Sequence, residues 1–243
     1  MLRRLSLTVS GSWLFALLIC VRVSIAETLS TVPTPLKLVY ASNQSGGLET
    51  KSWVFSDPAA WKFVEEKDSR VLELVSQSKY KPAVRSPFNI ALISNLSVGS
   101  FVIEAELLQT SREYGHRDLC LFFGFKSPTE FYYVHMATAA DNNAHNVFIV
   151  NKKPRTNIAT ETTKGVDWGQ DVWHKVKVER RIEDGSILVF FDDMQKPIMR
   201  AKDQTFVEGL IGFGSFDDTG RIRNIRLSSD KTSSLKVSFP TLP

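Results

Sequence analysis

The 243-residue sequence predicts an all-β fold, an antiparallel two-sheet jelly-roll sandwich, from three observations. Short runs of β-branched and aromatic residues recur along the chain beyond residue 50, Gly, Asn, Asp and Pro separate them, and no window sustains a helical period. A dozen or more strands over about 200 residues is the pattern of one sandwich around one large core.

Residues 1–26 read as a secretory signal peptide. Arg3 and Arg4 form a positive start, "LFALLICV" from Leu14 to Val21 is apolar but too short to span a bilayer, and "SIA" ending at Ala26 fits small-residue cleavage. Ile19 stands before Cys20, where a lipoprotein signal wants Gly or Ala, so soluble export to a secreted or periplasmic location is expected rather than a lipid anchor. Cleavage would remove Arg3, Arg4 and Arg22 and no acid, so 30 basic and 26 acidic residues become 27 and 26 and the formal charge falls from +4 to +1. That balance gives no footprint for nucleic acid, and no membrane insertion is expected after cleavage. Cys120 is then the one cysteine left, inside "LCLFFGF", which excludes an intrachain disulfide and reads as a buried, inert thiol.

Residues 27–50, with Pro33, Pro35 and "SNQSGG", read as an N-terminal extension: a tether or an irregular first strand. The sandwich is expected over residues 51–228, in the order "KSWVF", "VLELV", "FNIALIS", "FVIEAELLQ", "LCLFFGF", "FYYVHMA", "NVFIVN", "VWHKVKVERR", "SILVFFDD", "PIMRAK", "LIGFGSF" and "RIRNIRL". The best helix candidate, "DPAAWKFVEE", is short. Residues 229–243 read as a surface-running C-terminal extension.

Two stretches narrow the fold. In "GQDVWHKVKVERRIEDGSILVFFDD", Val172, His174, Val176 and Val178 alternate with Trp173, Lys175, Lys177 and Glu179, the chain turns at Asp184-Gly185, and it returns as an apolar strand ending in acids. "GLIGFGSFDDTGRIRNIRL" follows, with glycines where backbone or ligand must come close. Together they resemble the concanavalin A-like lectin/glucanase superfamily, whose laminin G-like and bacterial sugar-processing members share Trp-His-x-Val-x-Val, Gly-x-Ile-x-Val-x-x-Asp and a final Gly-x-Gly-x-Phe-Asp-Asp. The resemblance covers residues 50–228 and implies a concave sheet face that binds or cleaves polysaccharide or oligosaccharide. Its motifs mark fold more than activity.

The enzyme expectation stays open between glycoside hydrolase and polysaccharide lyase. Laminarinase-like hydrolases carry Glu-x-Asp-x-Glu on one strand face, which suits a nucleophile and an acid. Here Glu104 and Glu106 share a face but Leu108 takes the third place, so that motif is broken. A lyase would use His116, Arg117, Tyr133 and His135, residues that also serve as ordinary sheet pairs. No Gly-x-Ser-x-Gly, His-Glu-x-x-His, phosphate loop or CxxC occurs.

"YYVHMATAADNNAHNVFIVN" reads as a hairpin in which Tyr133 and His135 share one face and Tyr132, Val134 and Met136 the other. With the loop centred on Ala140, His135 stands opposite His145; with Asn142-Asn143 as a two-residue turn, it faces Val150. The expected ligand site is one polar-aromatic groove on the concave sheet built by Arg117, Tyr133, His135, Asn146 and Trp168, with Trp168 facing solvent from the loop "GVDWGQD". No cofactor is expected beyond a structural calcium, which the resemblance makes possible near the chain ends and for which Asp217 and Asp218 would supply oxygens. Exported glycan recognition is the expected function, with a carbohydrate-active enzyme or a sugar-free scaffold as rivals.

Overall fold

The computed structural model describes residues 34–44, 47–66 and 69–240. The expected signal peptide and its cleavage site lie outside the described residues. Among those residues, no helix is long and apolar enough to cross a membrane.

Two large antiparallel sheets form a sandwich. The nine-stranded sheet runs in the order β12 (Ala159–Thr162), β15 (Met199–Lys202), β14 (Ser186–Phe191), β13 (Trp173–Arg180), β7 (Phe101–Gln109), β17 (Gly220–Ser229), β4 (Ser69–Leu74) and β3 (Trp61–Glu66), with β1 (Lys37–Ala41) also pairing with β17. The seven-stranded sheet runs β11 (Thr156–Asn157), β10 (Asn146–Asn151), β9 (Glu130–Ala137), β8 (Asp118–Ser127), β16 (Leu210–Ser215), β5 (Asn89–Ile93) and β2 (Trp53–Phe55). A small ladder joins β6 (Ser97–Val98) to β18 (Thr232–Ser233).

Period-2 alternation accounts for the packing. On β13, His174, Val176 and Val178 point inward while Lys175 is exposed, and Val176 and Val178 register with Ala105 and Ile103 of β7. The Asp184-Gly185 turn forms as the sequence predicts: Gly185 adopts φ +78° and Asp184 Oδ1 accepts a bond from the Ser186 amide at 2.9 Å. "DPAAWKFVEE" is not a helix. Asp57 Oδ1 caps a single 3-10 turn at Pro58–Ala60, accepting from the Ala59 amide at 3.1 Å, and the chain then extends as β3, paired with β4 over its whole length. Gly212 and Gly214 sit where a Cβ would lie 2.0 Å from the Ala91 oxygen and 1.8 Å from the Asn89 oxygen, so backbone of the next strand is what approaches them.

The seven-stranded sheet is apolar on both faces. Leu119, Leu121, Phe123, Tyr132, Val134, Met136 and Phe213 fill the core between the sheets. Cys120, Phe122, Phe125, Phe131, Tyr133 and Phe148 form a second cluster on the opposite face. Gly124, at φ +56°, lies in the register shift between Phe123 and Ser127, and this bulge carries Phe125 onto the outer face beside Phe122. An exposed aromatic face of that size would be unstable in water, and the chain covers it twice. The crossing from β4 to β5 lays Tyr80 and Val84 on it, and the C-terminal segment lays Leu235, Val237 and Phe239 on it, with the Phe239 ring 5.3 Å from Tyr80 and 5.9 Å from Phe125.

Much of this outer face, the one that carries Tyr133 and His135, is therefore occupied by the chain itself. The three tail side chains are each half-buried, and burying one such side chain fully stabilises by about 1.5–3 kcal/mol. Ending the chain after Ser233 should cost about 2–4 kcal/mol and raise binding of the hydrophobic dye ANS. Urea unfolding and dye fluorescence check this; an unchanged midpoint and dark dye would show that the tail covers nothing of consequence.

Candidate functional site

One end of the outer face stays open. Arg85, Tyr114, His116, His135, Asn143, Arg155, Phe216 and Asp217 line a cavity of about 200 Å³ there. Larger cavities, of about 230, 300, 360 and 460 Å³, lie elsewhere among the described residues, two of them beside β1 and one beside Glu104 and Glu106. Of these five, the 200 Å³ cavity is the one that combines aromatic rings with imidazole, guanidinium and carboxylate groups, so it carries the chemistry.

Arg155 organises this cavity. Its guanidinium lies 4.8 Å from the Phe148 ring centre and 4.3 Å from that of Phe216, held between two aromatic faces. Nη1 donates to the Tyr133 hydroxyl and Nη2 to the Asn143 carbonyl, each at 2.7 Å. Tyr133 stacks on Phe148 at 5.1 Å, so the cation rests on the edge of the outer-face aromatic cluster. At the rim, His116 Nε2 donates to Asp141 Oδ2 at 2.6 Å, and Asp141 Oδ1 accepts from the Asn143 amide at 2.6 Å.

The wall behind is acidic. Asp218 Oδ2 accepts from the Tyr114 hydroxyl and from the Asp118 amide, both at 2.8 Å. Burial and then the neighbouring Asp118 charge push the Asp218 carboxyl up to about 6, and the same two causes raise Asp217. Asp118, Asp217 and Asp218 converge within 4.8 Å. Of the oxygens expected to bind calcium, Asp218 Oδ2 already accepts from the Tyr114 hydroxyl and the Asp118 amide, and calcium needs six to eight oxygens in all.

Strand parity sorts the five predicted site residues. Tyr133, His135 and Asn146 lie on the outer face, where Asn146 stands directly opposite His135 and Phe148 opposite Tyr133. Neither expected register forms: the pairs sum to 281 (146 + 135), because His145 turns through φ +50° just before β10 begins. His135 lines the cavity, Tyr133 lies beneath Arg155, and the Asn146 Oδ1 is engaged by the Ala159 amide at 3.1 Å.

Arg117 and Trp168 do not join them. Arg117 has the parity of Leu119 and Leu121, and its buried guanidinium donates to Gln109 Oε1 at 2.8 Å and to the Gly169 carbonyl at 2.7 Å. Trp168 is buried in the inter-sheet core, not solvent-facing; the turn at Gly169 (φ +54°) swings it inward, where Nε1 donates to the Met136 carbonyl at 3.3 Å. The single groove expected from all five residues is thus split between two faces of one sheet. Glu104 and Glu106 lie on the nine-stranded sheet in register with Lys177 and Lys175, and Arg223 Nε donates to Glu106 at 2.7 Å. The cavity residues that sequence reasoning missed are Arg85, Asn143, Arg155 and Phe216; Arg155, in "NKKPRTN", offers only a basic, proline-bearing loop as a signal.

No protein-family model and no curated protein matches the chain. Solved structures do. A carbohydrate-binding module, CBM66, from Bacillus subtilis aligns over 73% of this chain and 96% of its own at 17% identity and TM-score 0.51. Domain 4 of a Geobacillus stearothermophilus extracellular arabinanase, solved with arabinotriose, aligns over 83% and 95% at 9% identity and TM-score 0.50. The Griffonia simplicifolia lectin I-B4 aligns over 78% and 98% at 13% identity and TM-score 0.50. The chain has the concanavalin A-like fold. At these identities the likeness is one of lectin-type architecture, and the site has to be argued from its own residues.

His145 gives this end of the fold a pH dependence. Its ring is fully buried, with Nε2 2.9 Å from Thr163 Oγ1, and burial pushes its pKa down to about 4. The unfolded imidazole titrates near 6.5, so between pH 6.5 and 4 the unfolded chain holds a proton that the folded chain lacks. Stability is therefore lost as pH falls through this window, by up to about 3 kcal/mol. Asp218, with a raised pKa, acts with the opposite sign below pH 6, so a variant must separate the two. His145→Asn, which tolerates the positive φ, should flatten the acid-side fall of the melting temperature; the same fall in both proteins would contradict the assignment.

Proposed function

We propose that the chain is an exported carbohydrate-binding domain that recognises one residue of an oligosaccharide or polysaccharide in the cavity around Arg155. The observation that carries this reading is the guanidinium held between Phe148 and Phe216 at the floor of an open cavity whose rim presents Arg85, His116, Asn143 and Asp217. Sugar rings present both apolar CH faces and hydroxyls, and a site for them combines aromatic surface with a few placed polar groups. The fold supports the reading, since the structures it resembles include a carbohydrate-binding module, a lectin and a domain solved with arabinotriose. A cavity of about 200 Å³ is below the roughly 300–1,000 Å³ of sites that enclose drug-sized ligands, which favours an end or branch residue over a chain laid along the sheet. The signal-like residues 1–26 support an extracytoplasmic location.

A glycan array on the purified chain, followed by calorimetry on the best ligand, tests the reading. Arg155→Ala should weaken binding by about tenfold or more, as expected for loss of hydrogen bonds from a charged donor. His116→Ala, at the exposed rim, should weaken it several-fold with the melting temperature unchanged. Unaltered affinity in both folded variants would remove the site from this cavity, and product release from the same glycans would favour the carbohydrate-active enzyme.

A further inference from the structure

Asp118, Cys120 and His135 bring an oxygen, a sulfur and a nitrogen donor to one buried point of the outer face, all within 4.8 Å of one another. Register places them there. Asp118 and Cys120 are two residues apart on β8 and so share a face, and Cys120 pairs directly with His135 on β9. Cys120 Sγ lies 3.1 Å and His135 Nε2 3.2 Å from the same atom, Asp118 Oδ2. Asp118 and Cys120 are fully buried, and His135 is 2% exposed.

The second observation is the histidine's orphaned nitrogen. His135 Nδ1 faces the Asn143 carbonyl oxygen at 3.2 Å, an atom that only accepts, so Nδ1 carries a proton, and in the neutral ring Nε2 presents its lone pair. That Nε2 is buried and makes no hydrogen bond of acceptable geometry, although a carboxylate oxygen is 3.2 Å away. Two lone pairs turned toward each other in a dry interior call for a cation between them, a proton or a metal ion.

We propose that Asp118 Oδ2, Cys120 Sγ and His135 Nε2 form a binding site for a divalent transition ion of the zinc type. Zinc bonds of about 2.0–2.1 Å to nitrogen, 2.0–2.2 Å to oxygen and 2.3 Å to sulfur in a tetrahedral site set the N and O donors about 3.3 Å apart and the O and S donors about 3.5 Å apart. The separations of 3.2 and 3.1 Å from Asp118 Oδ2 lie within a few tenths of an ångström of these values, and the third edge, from Cys120 Sγ to His135 Nε2, lies within 4.8 Å. Sulfur and imidazole donors select such an ion over calcium or magnesium, which take oxygen. Binding forms the metal–sulfur bond as the Cys120 thiol proton leaves to solvent. The Asn143 carbonyl that orients His135, and the Phe216 amide 3.1 Å from Asp118 Oδ2, are the supporting bonds that metal ligands ordinarily have. Three protein ligands leave a fourth position, and the cavity that His135 lines is the side from which water or a ligand oxygen reaches it.

Cobalt reports on the site without any assay of activity. The purified chain, stripped with a chelator, is titrated with Co²⁺ and then with Zn²⁺. The proposal expects saturation at one Co²⁺ per chain, a thiolate-to-cobalt charge-transfer band in the near ultraviolet, strong visible bands of a four-coordinate ion, and bleaching of both by Zn²⁺. Cys120→Ala should abolish the charge-transfer band while the far-ultraviolet circular dichroism is unchanged. His135→Gln should weaken Co²⁺ binding at least tenfold; should that variant fail to fold, Asp118→Asn, which keeps an acceptor for the Phe216 amide, makes the same test. A folded wild-type chain that takes up no Co²⁺, a charge-transfer band that survives in Cys120→Ala, or a pale six-coordinate spectrum overturns the proposal.

Discussion

A sheet that is apolar on both faces has to be covered on both, and that constraint shapes the rest of this structure. The inner face of the seven-stranded sheet is buried by the nine-stranded sheet, as in any sandwich. Its outer face, with Phe122, Phe125, Phe131, Tyr133 and Phe148, finds no third layer and is covered by the chain's own crossing segment and tail. Aromatic rings dominate this cover: Phe125 stacks on Phe131 at 4.6 Å, and Tyr80 meets Phe239 edge to face. Open surface on that face is confined to the end where the loops after β7, β9, β10 and β16 gather.

At that end the chemistry changes from apolar to ionic over a few ångströms. Arg155 makes the transition, with its guanidinium plane against two rings and its edge bonded to a hydroxyl and a carbonyl. Behind it the polar groups are linked in series: Tyr114 to Asp218, Asp218 to the Asp118 amide, Asp118 to Cys120 and to the Phe216 amide. Three buried side-chain atoms of this end, His135 Nε2, Thr138 Oγ1 and His145 Nδ1, have no hydrogen-bond partner, and His135 Nε2 is informative because it faces a carboxylate oxygen. A rigid, hydrogen-bonded loop cluster on a stiff sheet suits recognition, because little order remains to be imposed on binding.

The fold was largely legible. Each of the twelve apolar or alternating runs read from the sequence contains a strand, because β-branched and aromatic periodicity reports burial directly. β3 was hidden behind a real local signal, since Asp57-Pro58 does start a turn of helix, and tertiary pairing with β4 then extends Trp61–Glu66. β1 falls where the sequence left a tether or an irregular first strand open, and β12 was missed because edge strands carry weak alternation. Parity correctly set Tyr133 and His135 against Tyr132, Val134 and Met136. The site was less legible, because register hangs on one positive-φ residue, His145, and because Arg155 acquires its meaning from Phe148 and Phe216, one of them about sixty residues away. Trp168 shows the limit of reading loops by composition: a tryptophan amid Gly and Asp closes the core from within.

The central claim is that ligand enters the open end around Arg155 and not the covered stretch of the same face. Amide chemical-shift mapping during titration with a bound oligosaccharide tests it most directly. Shifts should cluster at residues 114–117, 141–145, 153–156 and 216–218, with residues 235–239 of the tail unmoved. Perturbation running along the tail, or centred on Trp173 and Arg223 of the nine-stranded sheet, where the guanidinium lies 4.0 Å over the indole, would contradict the account.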